Sequence, residues 1–370
     1  MWDLTSELKA AKVFMICYDC NHMNEDAEAS KGGYYGMSVL VSGANGFIAT
    51  HIVDTLLEAG YPVIGTVRSL TKAEPLHRDF LKKYPNAKLS FEVVEDITAE
   101  GAFDEVLRNH KDVKYVLHTA SPATLELDKP LKEAYLDPAL AGTLSILKSV
   151  KTHAPQVKNV VITSSFAAIF GFSKDYVTYT NKHWSPLEWE QVNNEVLAYC
   201  VSKKYAEKAA WEFVEQEKPN FTLSTVCPPY VFGPQIFDWM AANKVNTSNE
   251  LITKLFKAAQ TTDFVEKPSG LFVDVRDVAK IHRLALEKEA SYGTRLFIGS
   301  QTFTGQTLLN ILNKNFPEKK LSVGAPEKDK PSRVFGFDIG NVLDSLGGYE
   351  FISLEQSVVD TASQYWKMNP

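Results

Sequence analysis

Tyr199 and Lys203 lie four residues apart in the segment AYCVSKKYAEKAAWEF. The segment has a strong helical propensity, so we expect the two side chains to share one face of a helix. A free phenol has a pKa of about 10, and a nearby ammonium favours the phenolate and lowers that pKa. The pair could therefore give a proton to a carbonyl oxygen or take one from an alcohol. A lone Tyr-x-x-x-Lys is common by chance and then indicates only a helix surface.

A third candidate group comes from Thr163-Ser164-Ser165, which ends an apolar strand 34 residues before Tyr199. Neighbouring side chains of a strand point to opposite faces, so we expect Ser165 to face the site and Ser164 to face away. The Ser165 hydroxyl could hold a carbonyl oxygen and stabilise negative charge that develops on it. These residues predict a catalytic set of Ser165, Tyr199 and Lys203, which needs no metal if a cofactor supplies hydride.

Other constellations are weaker. The sequence contains no H-E-x-x-H, no G-x-S-x-G and no phosphate loop of the G-K-[ST] type. His118 ends the strand of LHTASP, where a hydrogen-bonded core histidine is favoured and a place in the site is the alternative. Cys17 and Cys20 form a C-x-x-C pair without a second pair of ligands at zinc-finger spacing, so we expect an incidental pair.

The elements that must position these residues alternate from Ser38 onward. Short apolar strands are predicted in SVLVS, YPVIGTVR, LSFEVVEDI, VKYVLHTAS, VKNVVITSS and FTLSTVCPP, with helical segments between them. This alternation predicts an α/β fold with a doubly wound parallel sheet, which binds ligands beyond the carboxyl ends of its strands. The rhythm breaks after Pro228, where VFGPQIFDW is predicted as a loop.

A glycine turn joins the first strand to the first helix at Gly43-Ala-Asn-Gly46. Gly43 permits the tight turn, Gly46 lets the backbone approach a pyrophosphate, and Ala49 lets the helix pack closely. The N-terminus of the helix then offers N–H groups and a partial positive charge to the phosphates. An ordinary strand-to-helix turn is the alternative for this motif alone, since its spacing is G-x-x-G-x-x-A.

The ends of the second and third strands indicate which dinucleotide binds. Arg68 ends the second strand and Lys72 follows, where an NAD site usually has an acidic residue for the ribose 2′-hydroxyl. Cations suit a 2′-phosphate, so the sequence predicts NADP(H), with solvated surface cations as the alternative. Asp96 could accept from the adenine amino group with Ile97 beside the ring, or Asp96 could cap the next helix.

Length, composition, net charge and cysteine count limit the classes of protein to which the chain could belong. A chain of 370 residues with 45% hydrophobic residues can form one large or two interleaved domains. The net charge of −6 argues against a nucleic-acid partner, and no apolar run approaches the ~18 residues of a membrane helix. With only four cysteines a disulfide framework is not expected, so we expect a reducing, cytoplasmic location.

The expected organisation has three parts. Residues 1–36 hold acidic and polar stretches without a signal-peptide pattern, and we expect a poorly ordered extension. Residues 37–227 are predicted to form an NADP-binding Rossmann domain. Residues 228–370 are predicted to form mainly a smaller substrate-binding lid domain, partly interleaved with the first.

With the glycine turn, TSS and YxxxK in one order, the chain resembles the extended short-chain dehydrogenase/reductases. Within them it is similar to the dihydroflavonol-reductase-like branch and to the fungal NADPH-dependent methylglyoxal/3-methylbutanal reductases. The resemblance runs from Met37 almost to the C-terminus and rests on MSVLVSGANGFIA, VLHTASP, TSSFAAIF, AYCVSKK, AEKAAWEF, YVFGPQ and VDVRDVAK. It implies that hydride passes from NADPH to an aldehyde or ketone and gives an alcohol.

The resemblance also implies cofactor contacts by position. The pyrophosphate would lie on Gly43, Ala44, Asn45, Gly46, Phe47 and Ile48. The other implied positions are Arg68 and Lys72 at the 2′-phosphate, Asp96 and Ile97 at the adenine, Ala120, Ser121 and Pro122 near the nicotinamide, Tyr199 and Lys203 at its ribose, Val231 at the nicotinamide half, and Ser248 on the 2′-phosphate side. Cys227 and Pro229 stand where relatives often have Asn and Val.

Candidates for the substrate pocket flank these motifs and are apolar or aromatic: Ala123, Phe166, Tyr230, Ile236 and Trp239. Each could equally be ordinary core packing. The small side chain of Ala123 leads us to expect room for larger ketones.

Two other functions stay open. A sugar-nucleotide epimerase or dehydratase of the same superfamily would retain tightly bound NAD⁺, and Arg68 speaks against it. A non-catalytic NADP-sensing protein is disfavoured by the complete set of Ser165, Tyr199 and Lys203. For the reductase we expect a small aldehyde or ketone substrate, no nucleic acid, no membrane, and a monomer or homodimer.

Overall fold

The computed structural model describes residues 37–121, 129–173, 175–243, 245–257, 269–325 and 335–369. The predicted extension at residues 1–36 lies outside the described residues. The described strands are β1 (Ser38–Ser42), β2 (Val63–Val67), β3 (Leu89–Val93), β4 (Val113–His118), β5 (Asn159–Thr163), β6 (Val177–Tyr179), β7 (Thr222–Cys227), β8 (Tyr230–Phe232), β9 (Ser269–Asp274), β10 (Arg295–Phe297), β11 (Gln301–Thr304) and β12 (Phe335–Phe337).

The described α-helices are α1 (Phe47–Glu58), α2 (Glu74–Lys83), α3 (Asp104–Asn109), α4 (Asp137–His153), α5 (Glu195–Glu217), α6 (Asp238–Asn243), α7 (Glu250–Lys257), α8 (Val275–Glu287), α9 (Gly305–Asn315), α10 (Gly340–Ser345) and α11 (Leu354–Met368). None of them, within the described residues, is long and apolar enough to cross a lipid bilayer.

Seven parallel strands form the main sheet, in the order β3-β2-β1-β4-β5-β7-β10. The chain runs outward from β1 in both directions, so the sheet is doubly wound and the predicted fold class is confirmed. The strand order reverses between β1 and β4, and the carboxyl ends of these two strands therefore flank a crevice where such sheets bind ligands.

Burial explains why the apolar runs form strands of this kind. Strands β1 and β2 are buried along their whole length, as expected where helices cover both faces of a parallel sheet. Helix α1 buries Ala49, Ile52 and Leu56 at helical spacing, and it packs against α8 in the main core.

The C-terminal part of the chain builds smaller sheets and then returns to the large one. Strands β8, β9 and β11 form a three-stranded sheet, and β6 pairs with β12. Strand β10 extends the large sheet beside β7, so residues after 228 share that sheet with the N-terminal part.

The loop predicted for VFGPQIFDW was wrong in part. Residues Tyr230–Phe232 form β8, which pairs with β9, and Asp238–Asn243 is helical. A strand of three residues shows no alternation of its own, and its pairing partner comes about forty positions later in the sequence, so only tertiary pairing defines it.

Candidate active site

Helix α5 carries two of the predicted catalytic residues past the end of β5. The helix begins at Asn194, whose side chain accepts a hydrogen bond of 3.0 Å from the Leu197 N–H. Tyr199 and Lys203 follow one turn apart, and the Lys203 ammonium lies 5.9 Å from the centre of the Tyr199 ring. The predicted shared face is therefore present in the structure.

Ser164 and Ser165 diverge at the end of β5, as their alternation predicts. The Ser165 hydroxyl accepts a hydrogen bond of 3.1 Å from the Ala167 N–H, and it also interacts with the Tyr199 phenol. The Ser164 hydroxyl instead donates to the Glu207 carboxylate at 2.8 Å. The structure thus brings Ser165, Tyr199 and Lys203 together.

The acidity of the tyrosine differs from the sequence expectation. The pKa of Tyr199 is raised above its ordinary value because desolvation disfavours the phenolate, and the Ser165 hydroxyl only partly offsets this. The residue as a whole is 43% exposed, so this desolvation acts at its hydroxyl end. The expectation that Lys203 lowers the pKa of Tyr199 below its ordinary value was therefore wrong, since desolvation is the largest effect on the phenol.

Burial acts on Lys203 in the opposite direction. Desolvation lowers the pKa of Lys203 from 10.5 to about 8, because the charged ammonium loses hydration. The ammonium donates to the Ser121 hydroxyl at 3.3 Å. At neutral pH the site therefore holds a protonated phenol beside a protonated amine.

A cleft of about 390 Å³, including its opening to solvent, lies at the carboxyl ends of β4 and β5. Lys203, Ala120 and Ser121 line it, together with His118 and Ser164. Helices α4 and α5 form its sides. The cleft therefore joins the predicted catalytic lysine to the predicted nicotinamide side.

His118 fixes the turn that follows β4. The Ser42 hydroxyl oxygen accepts hydrogen bonds of 3.1 Å from the N–H groups of Thr119 and Ala120. Its own proton then goes to His118 Nδ1 at 2.9 Å, so the ring carries its proton on Nε2. Burial, with a smaller effect of the Lys203 charge, lowers the pKa of His118 to about 3. His118 is thus a neutral, hydrogen-bonded core residue that also lines the cleft.

The glycine turn fits a dinucleotide pyrophosphate. Gly43 has a φ of +64°, and a Cβ there would lie 3.0 Å from the Ala120 Cα. Among the described residues no side chain caps the N-terminus of α1, and no acidic residue stands in its first turn. The cradle therefore presents backbone to the crevice and leaves the partial positive charge of the helix available to an anion.

Arg68 and Asp96 lie at the same end of the sheet. Two hydrogen bonds from Thr98, at 2.7 Å and 2.8 Å, hold the pKa of Asp96 below its ordinary value, and the Arg68 charge lowers it further. Arg68 is exposed after β2, Lys72 ends the short turn that follows, and Ile97 packs against the core. These residues could meet an adenosine with a 2′-phosphate.

Val231 and Ser248 contact each other. The Val231 N–H donates to the Ser248 hydroxyl at 3.3 Å, and Val231 follows Tyr230 in β8. Tyr230 in turn is close enough to Tyr199 to raise the pKa of its phenol slightly. Both candidates therefore lie on the Tyr199 side of the protein.

The predicted pocket residues separate into two groups. Tyr230 is 40% exposed and lies near Tyr199. Phe166 instead is buried and stacks on Phe297 with ring centres 4.9 Å apart. Ile236 and Trp239 pack against the main core, and Trp239 donates to Asp79 of α2 at 2.8 Å. Phe166 thus packs in the core, Ile236 and Trp239 are partly buried against it, and their place in a substrate pocket stays a prediction; Ala123 and Pro122 lie outside the described residues.

Sequence reasoning missed Glu207 and Arg295, which form a buried ion pair of 2.7 Å beside the predicted catalytic residues. The only signal was a carboxylate one turn after Lys203 on a helix face that should be apolar. No group of three or more metal-ligating side chains occurs in the part of the chain that the structure describes.

The model of the NAD dependent epimerase/dehydratase family matches residues 39–299, so the chain belongs to this family. A 342-residue match, 44% identical, covers 90% of the chain and 98% of the NADPH-dependent methylglyoxal reductase GRE2 of Saccharomyces cerevisiae. The structure of yeast methylglyoxal/isovaleraldehyde reductase Gre2 with NADPH has a TM-score of 0.83 at 42% identity. The match covers 90% of this chain and 99% of that chain. The structure of UDP-glucose 4-epimerase of Thermotoga maritima is 22% identical and has a TM-score of 0.68; the match covers 90% of this chain and 100% of that chain.

Proposed function

We propose that this protein reduces aldehydes and ketones to alcohols with NADPH, and that methylglyoxal and 3-methylbutanal are among its substrates. One observation carries this proposal: the Tyr199 phenol contacts Ser165 and shares a helix face with Lys203, and Lys203 lines a cleft next to the glycine cradle. The two Gre2 comparisons, at more than 40% identity over nearly the whole of the relatives, support the same activity and cofactor. Bound NADPH supplies the hydride.

Each catalytic side chain has a distinct task. The raised pKa keeps Tyr199 protonated at neutral pH, so its phenol can donate to the carbonyl oxygen. Ser165 donates a hydrogen bond to the same oxygen and holds it within reach of the phenol. The Lys203 ammonium, with a pKa of about 8, stays charged and stabilises the phenolate that remains after proton transfer.

The cofactor contacts follow the ends of the strands. The cradle from Gly43 to Ile48 binds the pyrophosphate, Arg68 and Lys72 bind the 2′-phosphate, and Asp96 and Ile97 meet the adenine. Ala120 and Ser121 approach the nicotinamide with Tyr199 and Lys203. The contact between Ser248 and Val231 supports a place for both at the nicotinamide half, so the 2′-phosphate role of Ser248 is not retained.

The wider setting is also part of the proposal. Residues 37–227 provide the dinucleotide-binding domain, and residues 228–370 provide most of the substrate side, with Tyr230 at its border. Cys200 and Cys227 are free and buried, which suits a reducing location such as the cytoplasm. The proposed site can form in a monomer or in a homodimer, because all the residues assigned above belong to one chain.

The rival functions have less support. Similarity to the sugar-nucleotide epimerase at 22% identity extends only to the fold, and the cation Arg68 suits NADPH rather than retained NAD⁺. The named relatives are reductases, so a non-catalytic sensor is disfavoured.

Tyr199→Phe tests the mechanism against a tyrosine on the same helix. Tyr205 donates to Glu188 at 2.6 Å on the surface, so Tyr205→Phe removes a phenol away from the cleft. We expect Tyr199→Phe to bind NADPH normally and to lose about 10³-fold in kcat with methylglyoxal, 3-methylbutanal and aryl ketones. Tyr205→Phe should keep wild-type turnover. Full activity of Tyr199→Phe would refute the assignment of the proton donor.

A further inference from the structure

Glu207 lies on the same side of α5 as Tyr199 and Lys203. It comes two turns after Tyr199 and one turn after Lys203. Its side chain is fully buried. It accepts hydrogen bonds from the hydroxyl groups of Ser164, at 2.8 Å, and Thr225, at 2.7 Å. A carboxylate held by several buried donors in this way restrains the position of its helix, because these hydrogen bonds weaken when their distances and angles change.

The same carboxylate makes a two-point ion pair with Arg295 of β10, at 2.7 Å and 3.2 Å. Arg295 also donates to the carbonyl oxygens of Asn181 and His183, and its guanidinium lies 3.7 Å from the centre of the Trp184 ring. Glu207 thus ties α5 to β5, β7 and β10, and through Arg295 to the segment 181–184.

Of these three ties, the one to β5 bears on the reaction. Ser164 is the immediate neighbour of Ser165, and Glu207 is on the helix that carries Tyr199. The bond from Ser164 to Glu207 therefore closes a short loop through the backbone of β5, Ser165, the Tyr199 phenol and α5. This loop links the position of Tyr199 to that of Ser165, and so to the distance between them.

We propose that Glu207 is a positioning residue, which fixes Tyr199 of α5 against Ser165 of β5 through the Ser164 hydroxyl. The inference rests on the proposed function, in which Tyr199 and Ser165 act on one carbonyl oxygen. Misplacement of a reacting group by about 1 Å can cost roughly 10²-fold in rate, so a bond that sets this distance controls kcat far more than substrate binding.

The test compares two serine-to-alanine variants. Ser164→Ala deletes the bond between β5 and Glu207 without changing any charge. Ser224 lies on the neighbouring strand β7, and Ser224→Ala deletes its buried bond of 3.0 Å to the Ser291 carbonyl, which is outside the Glu207 network. That carbonyl keeps a second donor in Thr294, and each variant removes one buried serine hydroxyl.

We expect Ser164→Ala to lower kcat about tenfold, with the KM for NADPH changed by less than about twofold, and Ser224→Ala to keep kcat within about twofold. The loss of the Ser165 contact should also raise the pKa of Tyr199. Titration of phenolate absorbance, taken as the difference between each variant and the same variant with Tyr199→Phe, measures that pKa without turnover.

Glu207→Gln extends the test, since it keeps the shape and leaves Arg295 without a carboxylate partner, and we expect about a 100-fold lower kcat. If this variant fails to fold, the serine pair still decides. Equal kcat values and equal Tyr199 titrations in Ser164→Ala and Ser224→Ala would overturn the positioning role while the wild type remains a reductase. Full activity of Tyr199→Phe would instead overturn the proposed function itself.

Discussion

Gly43→Ala tests whether the glycine turn is a cofactor cradle, and Gly60→Ala provides a matched control. Both glycines have positive φ, +64° and +84°, so alanine at either position adopts a left-handed conformation at a cost of about 1 kcal/mol. A Cβ at Gly60 would meet nothing within 4 Å, whereas a Cβ at Gly43 would lie 3.0 Å from the Ala120 Cα. The extra cost at Gly43 is therefore steric and falls on backbone that cannot rotate away.

The displaced backbone belongs to both sides of the crevice. Ala120 precedes Ser121, which holds the Lys203 ammonium, and Gly43 opens the turn that is proposed to bind the pyrophosphate. Gly60→Ala should melt about 2 °C below the wild type and bind NADPH equally well. Gly43→Ala should melt lower still and bind NADPH at least about tenfold more weakly, a loss of about 1.4 kcal/mol. Thermal melts and NADPH fluorescence titrations measure both, and equal NADPH affinity in the two variants would refute the cradle.

Two further predictions concern charge. Arg68→Ala should weaken NADPH binding about 10- to 100-fold and leave NADH binding unchanged, because it removes a charge-assisted bond to the 2′-phosphate. Arg108→Ala on α3 serves as the control. An unchanged preference for NADPH in Arg68→Ala would contradict the assignment. Lys203 has a pKa of about 8 in the free protein and is proposed to act as an ammonium, so kcat/KM for NADPH should fall as the pH rises through about 8. In Lys203→Arg this fall should move to higher pH. A flat pH profile in the wild type would refute the role of the charge.

The sequence was sufficient for six of the seven strands of the large sheet because their signals are local, and the seventh, β10, joins it from the part of the chain predicted as mainly the lid domain. Each strand is an apolar run bounded by turns, and α1 shows its buried positions at helical spacing. Strand β8 was missed because three residues carry no period, and only pairing with β9 defines them. The short pair of β6 and β12 has the same origin.

The site was predictable where residue type and chain order determine chemistry. The alternation of Ser164 and Ser165, and the spacing of Tyr199 and Lys203, follow from the geometry of one strand and one helix. Phe166 was not predictable in this way, because its stacking on Phe297 joins segments far apart in the chain. An aromatic residue beside a catalytic motif can face the pocket or the core, and only tertiary packing decides which.

The sequence analysis expected the Lys203 ammonium to lower the pKa of Tyr199, whereas that pKa is raised. The expectation still describes how the two groups would interact during the proposed reaction. Desolvation drives each group towards its neutral form, which raises the pKa of the phenol and lowers the pKa of the amine. Before proton transfer the phenol is neutral, so the ammonium 5.9 Å from its ring gains little from it. Once the proton leaves, a phenolate faces that ammonium in the same poorly hydrated site, where their attraction is strong. In the proposed mechanism Lys203 therefore stabilises the charge that develops during the reaction more than it stabilises the resting state, and such a difference accelerates a chemical step.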